Sequence, residues 1–174
     1  NVGKSSLINA LAGRTLARTS AAPGKTRLAN YYEIRPDRQK AFHLVDLPGY
    51  GYARGAPEGA AFETLAREYF FGGSQEHEVR GAIAGVLLLV DARHPGLDAD
   101  VRAHAWFAAQ PPPVCLVATK VDKLSRNERQ RTSRALADAF GQAALMTSVS
   151  AGEGIEDLWT WIVQHLQQWT PPPR

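Results

Sequence analysis

The sequence predicts an α/β fold in which a mostly parallel sheet is flanked by helices and carries one antiparallel edge strand. Short β-branched runs alternate with longer segments of helical periodicity, the order typical of parallel sheets. Two of these runs, GVLLLVDA at 85–92 and PVCLVATK at 113–120, are continuously apolar and end in polar residues, as buried parallel strands do. Ligands are expected at the carboxyl ends of such strands.

Two shorter strands are predicted ahead of these runs, NYYEI at 30–34 and AFHLVDLPG at 41–49. The connection between them, RPDRQK, is polar and contains proline, which favours an antiparallel hairpin. Helical periodicity predicts five helices, at 5–12, 58–71, 99–109, 126–140 and 155–169.

The last predicted helix has one apolar stripe, which is expected to pack onto the domain. Trp161 falls off this stripe, so it is a candidate surface contact residue. The stripe comprises Ile155, Leu158, Trp159, Ile162, Leu166 and Trp169.

One domain is expected over residues 1–174, because this length and a hydrophobic content of 44% can supply a core without disulfides or metal. The proline-rich TPPPR at 170–174 cannot continue a helix and is expected to form a short tail. Twenty Lys and Arg residues against 17 Asp and Glu give a net charge of +3, which is compatible with an RNA partner but does not establish one.

The single cysteine, Cys115, lies inside the apolar run VCLVAT, which indicates a buried small hydrophobe rather than a nucleophile. It cannot form an internal disulfide, which suits a reducing compartment. No apolar run approaches the ~18 residues that span a bilayer, and no signal-peptide pattern occurs. We therefore expect a cytoplasmic protein with no membrane partner.

The segment VGKSS opens the first helix and predicts a phosphate-binding loop. Gly3 lets the backbone approach a phosphate, Lys4 can neutralise the β and γ oxygens, and the Ser5 hydroxyl can bind Mg²⁺. The free N–H groups of the helix point at the same anion. The alternative interpretation of this short pattern is a glycine turn that caps a helix.

Two further segments predict the rest of the phosphate end. In DLPG, Asp46 ends a strand and can hold the water shell of Mg²⁺, and the Gly49 amide can meet a γ-phosphate. In APGKT, Thr26 can offer a second hydroxyl to Mg²⁺ only when the γ-phosphate is present, as a switch does. Taken alone, APGKT is an ordinary turn.

The segment TKVD follows directly on a buried strand and predicts a guanine site. Asp122 can accept hydrogen bonds from N1–H and the exocyclic amine of guanine, whereas adenine presents no matching pair of donors. Lys120 can lay its stem along the base, and Thr119 can fix the loop. The alternative, a solvated charge pair in a loop, is disfavoured because these three residues directly after a strand are an improbable chance match.

The segment TSVSAGEG at 147–154 lies between the last predicted strand and the last helix. Ser148 can support the turn, and the Val149 N–H can face the guanine O6. On its own this is a serine-rich turn. Behind GKS, DxxG and TKxD in that order, it completes a guanine-nucleotide site.

The segments NVGKSSLINALAG, APGKT, DLPGYGYA and TKVDK resemble the translation-factor-like P-loop GTPases and, within them, the EngB family of bacterial ribosome-biogenesis GTPases. The resemblance covers nearly the whole chain, and DLPGYGYA is its most specific element. It implies a P-loop GTPase fold, GTP and GDP as ligands and Mg²⁺ held through Ser5 and Thr26. It also implies association with the large ribosomal subunit during assembly and a requirement for normal cell division and septation.

Two positions refine what the resemblance implies. Asn1 corresponds to an asparagine that helps related GTPases hold K⁺ beside the phosphates, so K⁺ is a candidate second cation. Tyr50 stands where Ras-like enzymes carry the glutamine that orients water, and a phenol lacks the paired donor and acceptor of an amide. Hydrolysis is therefore expected to be slow without a partner. Lys4 and Thr26 are expected to act by positioning and electrostatics, and no residue is assigned as a general base.

The motifs and the resemblance together give one set of nucleotide-binding residues, each placed in a loop at a strand end or in a switch segment. The set is Asn1, Val2, Gly3, Lys4, Ser5, Ser6, Gly24, Lys25, Thr26, Arg27, Leu28, Asp46, Leu47, Pro48, Gly49, Thr119, Lys120, Val121, Asp122, Thr147, Ser148 and Val149. The metal ligands among them are Ser5, Thr26 and Asp46 for Mg²⁺, Asp46 through water, and Asn1 for K⁺.

The pattern of the resembling family continues upstream of Asn1 with a strand and the first half of the phosphate loop. Because that strand is central in the fold, its loss would expose apolar faces and strand edges. We therefore expect these 174 residues to be a piece of a longer protein that includes them.

Two alternatives to a GTPase switch on the ribosome stay open at this point. One is a ribosome- or RNA-binding module whose nucleotide site hardly turns over, with basic residues near the switches as RNA contacts. The other is a GTPase of the same superfamily with a different client. In the leading interpretation the partner is the large subunit or its precursor, with its rRNA and ribosomal proteins, and the protein is a monomer. The basic residues are Arg14, Arg18, Lys25, Arg27, Arg54 and Arg67.

Overall fold

The computed structural model describes residues 2–17, 29–36, 41–47 and 83–169. The chain divides into two compact units, one formed by residues 1 and 3–73 and the other by residues 2 and 74–174. The predicted helix at 58–71 and the predicted tail at 170–174 lie outside the described residues. The single domain over 1–174 stays a prediction.

The first unit contains one helix and one antiparallel pair of strands among its described residues. Helix α1, Lys4–Ala12, begins after Gly3 and buries Leu7, Ile8 and Leu11 on one face. The two strands are β1, Asn30–Ile34, and β2, Phe42–Asp46. They pair with Asn30 opposite Asp46 and Ile34 opposite Phe42, which confirms the predicted hairpin strands.

The second unit contains a parallel sheet in the order β3-β4-β5. Its strands are β3, Val86–Asp91, β4, Val114–Thr119, and β5, Leu145–Met146. Three helices accompany them, α2 at Asp98–Ala108, α3 at Arg126–Phe140 and α4 at Ile155–Gln168. A single 3₁₀ turn, Val121–Lys123, follows β4. A parallel sheet with helices and an antiparallel pair confirms the predicted fold class.

The core of the second unit is built around β4, in which every residue after Val114 is buried. A strand buried on both faces reads as a continuous apolar run, which is why VCLVAT predicted it. Among the largest fully buried side chains, Leu116 comes from β4, Leu136 from α3 and Leu158 from α4. These helices therefore bury apolar side chains in the core of the unit that carries the sheet.

Helix α3 begins at its predicted residue because its first turn carries a complete capping box. The Ser125 N–H donates to Glu128 Oε2 at 2.8 Å, and the Glu128 N–H donates to Ser125 Oγ at 3.4 Å. The hydrogen bonds from Ser125 lower the pKa of Glu128. Two helix-terminal donors are thereby satisfied, which fixes where the chain leaves the 3₁₀ turn.

Trp161 is partly buried, which corrects its predicted placement on the surface. Its ring stacks on His165 with centroids 3.9 Å apart. A Cβ atom added at Gly85 would lie 2.7 Å from the Trp161 ring, so glycine makes room for the indole there. The helical stripe could not show this, because the space comes from a residue 76 positions away along the chain, at Gly85.

No helix in the described part of the chain has the length and apolar character needed to cross a membrane.

The Cys115 thiol is predicted not to react with thiol reagents in the folded protein. It is 5% exposed, and burial raises the pKa of its thiol to about 12. At pH 8 the native thiol is then protonated as well as inaccessible, whereas an unfolded chain has an ordinary cysteine pKa. We expect no labelling by a disulfide reagent in native buffer and one equivalent in denaturant. Rapid stoichiometric labelling of the native protein would contradict the burial of this strand.

Candidate guanine-nucleotide site

The first turn of α1 has the open geometry of an anion-binding helix end. Gly3 precedes the helix with φ of 96°, a left-handed conformation that disfavours other residues. Its carbonyl accepts the Leu7 N–H at 3.0 Å, so the helix starts immediately. No side chain caps the turn, and no acidic residue lies in it. Its N–H groups and the positive end of the helix dipole are thus available to a phosphate.

Lys4 in this turn contacts the end of β2. Its Nζ lies 2.5 Å from Asp46 Oδ1 and also donates a hydrogen bond to the Leu47 carbonyl. Asp46 is 5% exposed, and its Oδ1 is the buried side-chain atom without a hydrogen bond among the described residues. The two charges are therefore close, but the ammonium does not approach Oδ1 in hydrogen-bond geometry.

These residues fit a Mg²⁺ ion that is bound largely through phosphates. Asp46 Oδ1 is ion-paired with Lys4 but makes no hydrogen bond, so it can accept one from metal-bound water, and Ser5 in the first turn of α1 supplies a hydroxyl. Both are the hard oxygen ligands that Mg²⁺ prefers. Within the described ranges, no group of three or more His, Cys, Asp or Glu could form a metal cage. This donor set suits Mg²⁺, which uses one or two protein ligands and substrate phosphates.

The Asn9 side chain is hydrogen-bonded to the segment that follows α1, a role that the sequence motifs did not indicate. Its Oδ1 accepts the N–H groups of Leu16 and Ala17 at 2.8 and 2.7 Å, and its Nδ2 donates to the Ala17 carbonyl at 2.9 Å. The signal was present, because asparagine is a poor former of helix interiors. This anchor fixes residues 16–17, just before the predicted switch segment APGKT.

In the second unit, Thr119 ties the end of β4 to two carbonyl groups. Its hydroxyl lies 2.6 Å from the Val2 carbonyl and 3.1 Å from the Val90 carbonyl. Thr119 is 6% exposed, so both contacts are shielded from water. The predicted role of Thr119 in fixing its loop is consistent with these contacts.

Lys120 pairs with Asp91, a residue that the sequence reasoning did not single out. Lys120 has φ of 62°, the one positive value among described non-glycine residues. Its Nζ lies 2.7 Å from Asp91 Oδ2, and Arg93 Nη2 lies 2.7 Å from the same oxygen. Burial alone raises the pKa of Asp91, but the hydrogen bonds from Arg93 and Lys120 outweigh it and lower the pKa. The sheet register places Asp91 opposite Thr119, which no linear motif reveals.

Asp122 is held as an ionised carboxylate. Its Oδ1 accepts the Ser148 hydroxyl at 2.6 Å, and Lys123 Nζ lies 3.0 Å from its Oδ2. The hydrogen bonds from Ser148 and then Lys123 lower the pKa of Asp122 to about 2. At neutral pH it therefore has only acceptors to offer, on oxygens that keep free lone pairs.

The loop after β5 is built onto the end of β4. Thr147 N–H donates to the Ala118 carbonyl at 2.7 Å, and Val121 N–H donates to the Thr147 carbonyl at 3.2 Å. Ser148 and Glu153 exchange two backbone hydrogen bonds of 2.9 Å each. Thr147 and Ser148 are each 1% exposed, whereas Val149 is 39% exposed. The structure thus brings the TKVD and TSVSAGEG segments together, with Val149 exposed at the surface.

Some of the predicted site residues are described in the first unit, some are described in the second unit, and the others lie outside the described residues. In the first unit Gly3, Lys4, Ser5 and Ser6 lie at the start of α1, and Asp46 and Leu47 lie at the end of β2. In the second unit Val2, Thr119 to Asp122 and Thr147 to Val149 are described. Outside the described residues are Asn1, Gly24, Lys25, Thr26, Arg27, Leu28, Pro48, Gly49 and Tyr50, and of the basic candidates Arg18, Arg54 and Arg67.

The comparisons with known proteins identify the fold and the family of the chain. The family of 50S ribosome-binding GTPases matches residues 1–120. The crystal structure of Era with MgGDPNP and nucleotides 1506–1542 of 16S ribosomal RNA aligns over 100% of this chain and 55% of that chain, with a TM-score of 0.75 and 19% identity. The crystal structure of a probable GTP-binding protein engB aligns over 97% of this chain and 95% of that chain, with a TM-score of 0.66 and 24% identity. The fold is that of a P-loop GTPase.

The family follows from sequence similarity. The probable GTP-binding protein EngB of Symbiobacterium thermophilum is 37% identical to this chain, over 98% of this chain and 85% of its own length. The chain belongs to the EngB family of GTP-binding proteins, which confirms the resemblance stated from the motifs.

Two glycines of the TSVSAGEG segment provide a matched test of the loop geometry. Gly152 and Gly154 have φ of 67° and 72°, so alanine is strained at both. A Cβ at Gly154 would lie 2.2 Å from the Met146 carbonyl oxygen, whereas at Gly152 it meets nothing within 4 Å. We expect Gly152→Ala to lower the free energy of unfolding by about 1 kcal/mol and Gly154→Ala by about 3 kcal/mol or more, in urea denaturation. Equal losses would contradict the close approach at Met146.

Proposed function

We propose that this protein is a Mg²⁺-dependent GTP-binding switch with slow GTP hydrolysis that acts in assembly of the large ribosomal subunit. It acts in the cytoplasm as a monomer, with residues 1–174 forming one domain, and normal cell division and septation depend on it. GTP binding and GTPase chemistry in general follow from membership of the EngB family. The slow hydrolysis, the role in ribosome assembly and the dependence of cell division on the protein are proposed here.

The main observation behind the proposal is that the Asp122 carboxylate is ionised and held in a fixed position. A carboxylate with pKa of about 2, held by Ser148 at 2.6 Å, is an acceptor with a fixed position. Guanine presents two adjacent donors, N1–H and the exocyclic amine, that match two carboxylate oxygens. Adenine lacks this pair of donors. An Asp122 carboxylate placed beside adenine would lose contact with water without gaining hydrogen bonds from the base. Asp122 therefore selects guanine over adenine.

The phosphate end is assigned to α1 and the end of β2. The ammonium of Lys4 and the free N–H groups of the first turn stabilise phosphate charge. Ser5 and Thr26 hold Mg²⁺ directly and Asp46 holds it through water, and the bound ion neutralises charge that develops on the phosphates. Lys4 and Thr26 thus contribute by positioning and electrostatics, with no side chain assigned as a base. A K⁺ ion at Asn1 is carried by the resemblance alone.

The ribosomal partner is supported by the comparisons. The matching family is described as 50S ribosome-binding, and Era, which shares the fold, was crystallised with a segment of ribosomal RNA. A net charge of +3 is compatible with such a partner. Slow hydrolysis is proposed from Tyr50, which stands in place of a water-orienting glutamine.

The test of guanine selection is the substitution Asp122→Asn. An amide has one donor and one acceptor, which match the N1–H and 2-carbonyl of xanthine rather than the two donors of guanine. In a titration with fluorescent GDP in Mg²⁺, we expect GTP to compete and ATP not to compete. The variant should lose about 100-fold or more in GDP affinity and gain affinity for xanthosine diphosphate. Asp157→Asn, an exposed carboxylate on α4, is the control and should change neither. Unchanged GDP binding by Asp122→Asn would overturn the assignment.

The test of the partner is sedimentation with purified ribosomal subunits. We expect the protein to pellet with large subunits in the presence of a non-hydrolysable GTP analogue and less so with GDP, because a switch binds its client in one nucleotide state. Small subunits are the control. Large subunits should also accelerate GTP hydrolysis. Equal pelleting in both nucleotides without acceleration would favour the RNA-binding module, and no pelleting at all would favour a different client.

A further inference from the structure

We propose that Arg129, on α3, is a positioning residue that sets the strength of guanine discrimination by holding together the two loops around Asp122. The inference rests on the proposed function, because it assumes that Asp122 contacts the base. Arg129 lies outside every motif that predicted the site, and its side chain hydrogen-bonds to Leu124 and Glu153.

Arg129 contacts one loop at each end of its guanidinium group. Its Nε donates to the Leu124 carbonyl at 3.3 Å, and its Nη1 donates to Glu153 Oε1 at 2.6 Å. Leu124 follows the 3₁₀ turn that carries Asp122, and its N–H donates to the Val121 carbonyl at 3.1 Å. Glu153 belongs to the TSVSAGEG segment. One side chain therefore joins the segment after TKVD to the loop after β5.

The second loop transmits this contact to the Asp122 carboxylate. Glu153 is tied to Ser148 by two backbone hydrogen bonds of 2.9 Å each, and the Ser148 hydroxyl donates to Asp122 Oδ1 at 2.6 Å. The Ser148 oxygen also accepts the Ala151 N–H at 3.2 Å, so its orientation is fixed. The contacts close a ring that runs from Arg129 through Glu153, Ser148 and Asp122 and returns through Leu124.

The chemistry of arginine suits this position. A planar guanidinium has donors in a rigid fork and can satisfy two acceptors that lie in different directions, whereas an ammonium is a single point of charge. The start of α3 is fixed by the Ser125 and Glu128 capping box, so the helix offers a rigid base for the side chain. The Arg129 and Glu153 side chains are 35% and 41% exposed, and exposed ion pairs add little to global stability. The effect is therefore expected on recognition rather than on folding.

The decisive experiment compares GDP with inosine diphosphate, which lacks only the exocyclic amine. The ratio of their affinities measures the hydrogen bond from that amine to Asp122. We expect Arg129→Met to lower the GDP to inosine diphosphate ratio by about three- to tenfold, the range of one hydrogen bond. Arg134→Met, which removes an exposed arginine of the same helix, should leave the ratio unchanged. Arg129→Lys should restore part of the ratio.

The coupling through Glu153 has its own measurement. Glu153→Met should lower the ratio in the same direction, because methionine has no oxygen that could accept the hydrogen bond from Arg129. The double variant with Arg129→Met should lose less than the two losses multiplied, because both act on one contact. Thermal melting of each variant reports folding. If Arg129→Met does not fold, Glu153→Met and Arg129→Lys decide the question, since each introduces a side chain of similar length.

The outcomes separate the inference from the proposed function. If Arg129→Met weakens GDP and inosine diphosphate equally, or if Glu153→Met leaves the ratio intact, Arg129 is a structural residue and the inference is overturned. If the unaltered protein itself binds the two nucleotides equally, Asp122 does not contact the base and the proposed function fails first. A lowered ratio in Arg129→Met with a normal ratio in Arg134→Met supports both.

Discussion

The parallel register of β3, β4 and β5 is the constraint on which the base end of the site depends. It places Asp91 opposite Thr119 and Ala118 opposite Met146, so three strands end at the same edge. The residues that follow these strands therefore lie close together at that edge, and no sequence motif is needed to explain their proximity. The continuous burial of β4 makes this register costly to shift, because a slip by one residue would disrupt the close packing of side chains on both of its faces.

At this edge of the sheet, the pKa values of the carboxyl groups are lowered by hydrogen bonds, which outweigh the effect of burial. Asp91 accepts from Arg93 and Lys120, and Asp122 accepts from Ser148, which lowers the pKa of each carboxyl group. Ionised carboxylates of this kind keep their position and their acceptor character across the physiological pH range. The same hydrogen bonds that fix the loops thus prepare the charge that the proposed recognition needs.

The sequence predicted local features well and contacts between distant segments poorly. The bounds of β1 and α3 agree with prediction, since a strand-like run beside a polar connection and helical periodicity are local signals. The pairing of Lys120 with Asp91 and the packing of Trp161 at Gly85 were not predicted, because each joins residues whose proximity depends on sheet register or on available space. For the candidate site, motifs named Asp122 and Ser148 as residue types, but their hydrogen bond and the neighbouring Arg129 emerge only from three-dimensional placement.

The phosphate and base ends differ in how completely their polar groups are satisfied. At the base end the carboxylates of Asp91 and Asp122 each accept hydrogen bonds from neighbouring side chains. At the phosphate end Asp46 Oδ1 is buried beside Lys4 without a hydrogen bond. A phosphate that binds Lys4 would draw the ammonium away from Asp46, and metal-bound water can then donate hydrogen bonds to the carboxylate. Binding at the proposed phosphate end is therefore expected to replace the Lys4–Asp46 ion pair with contacts to the phosphates and to metal-bound water, whereas the hydrogen bond between Ser148 and Asp122 is already formed.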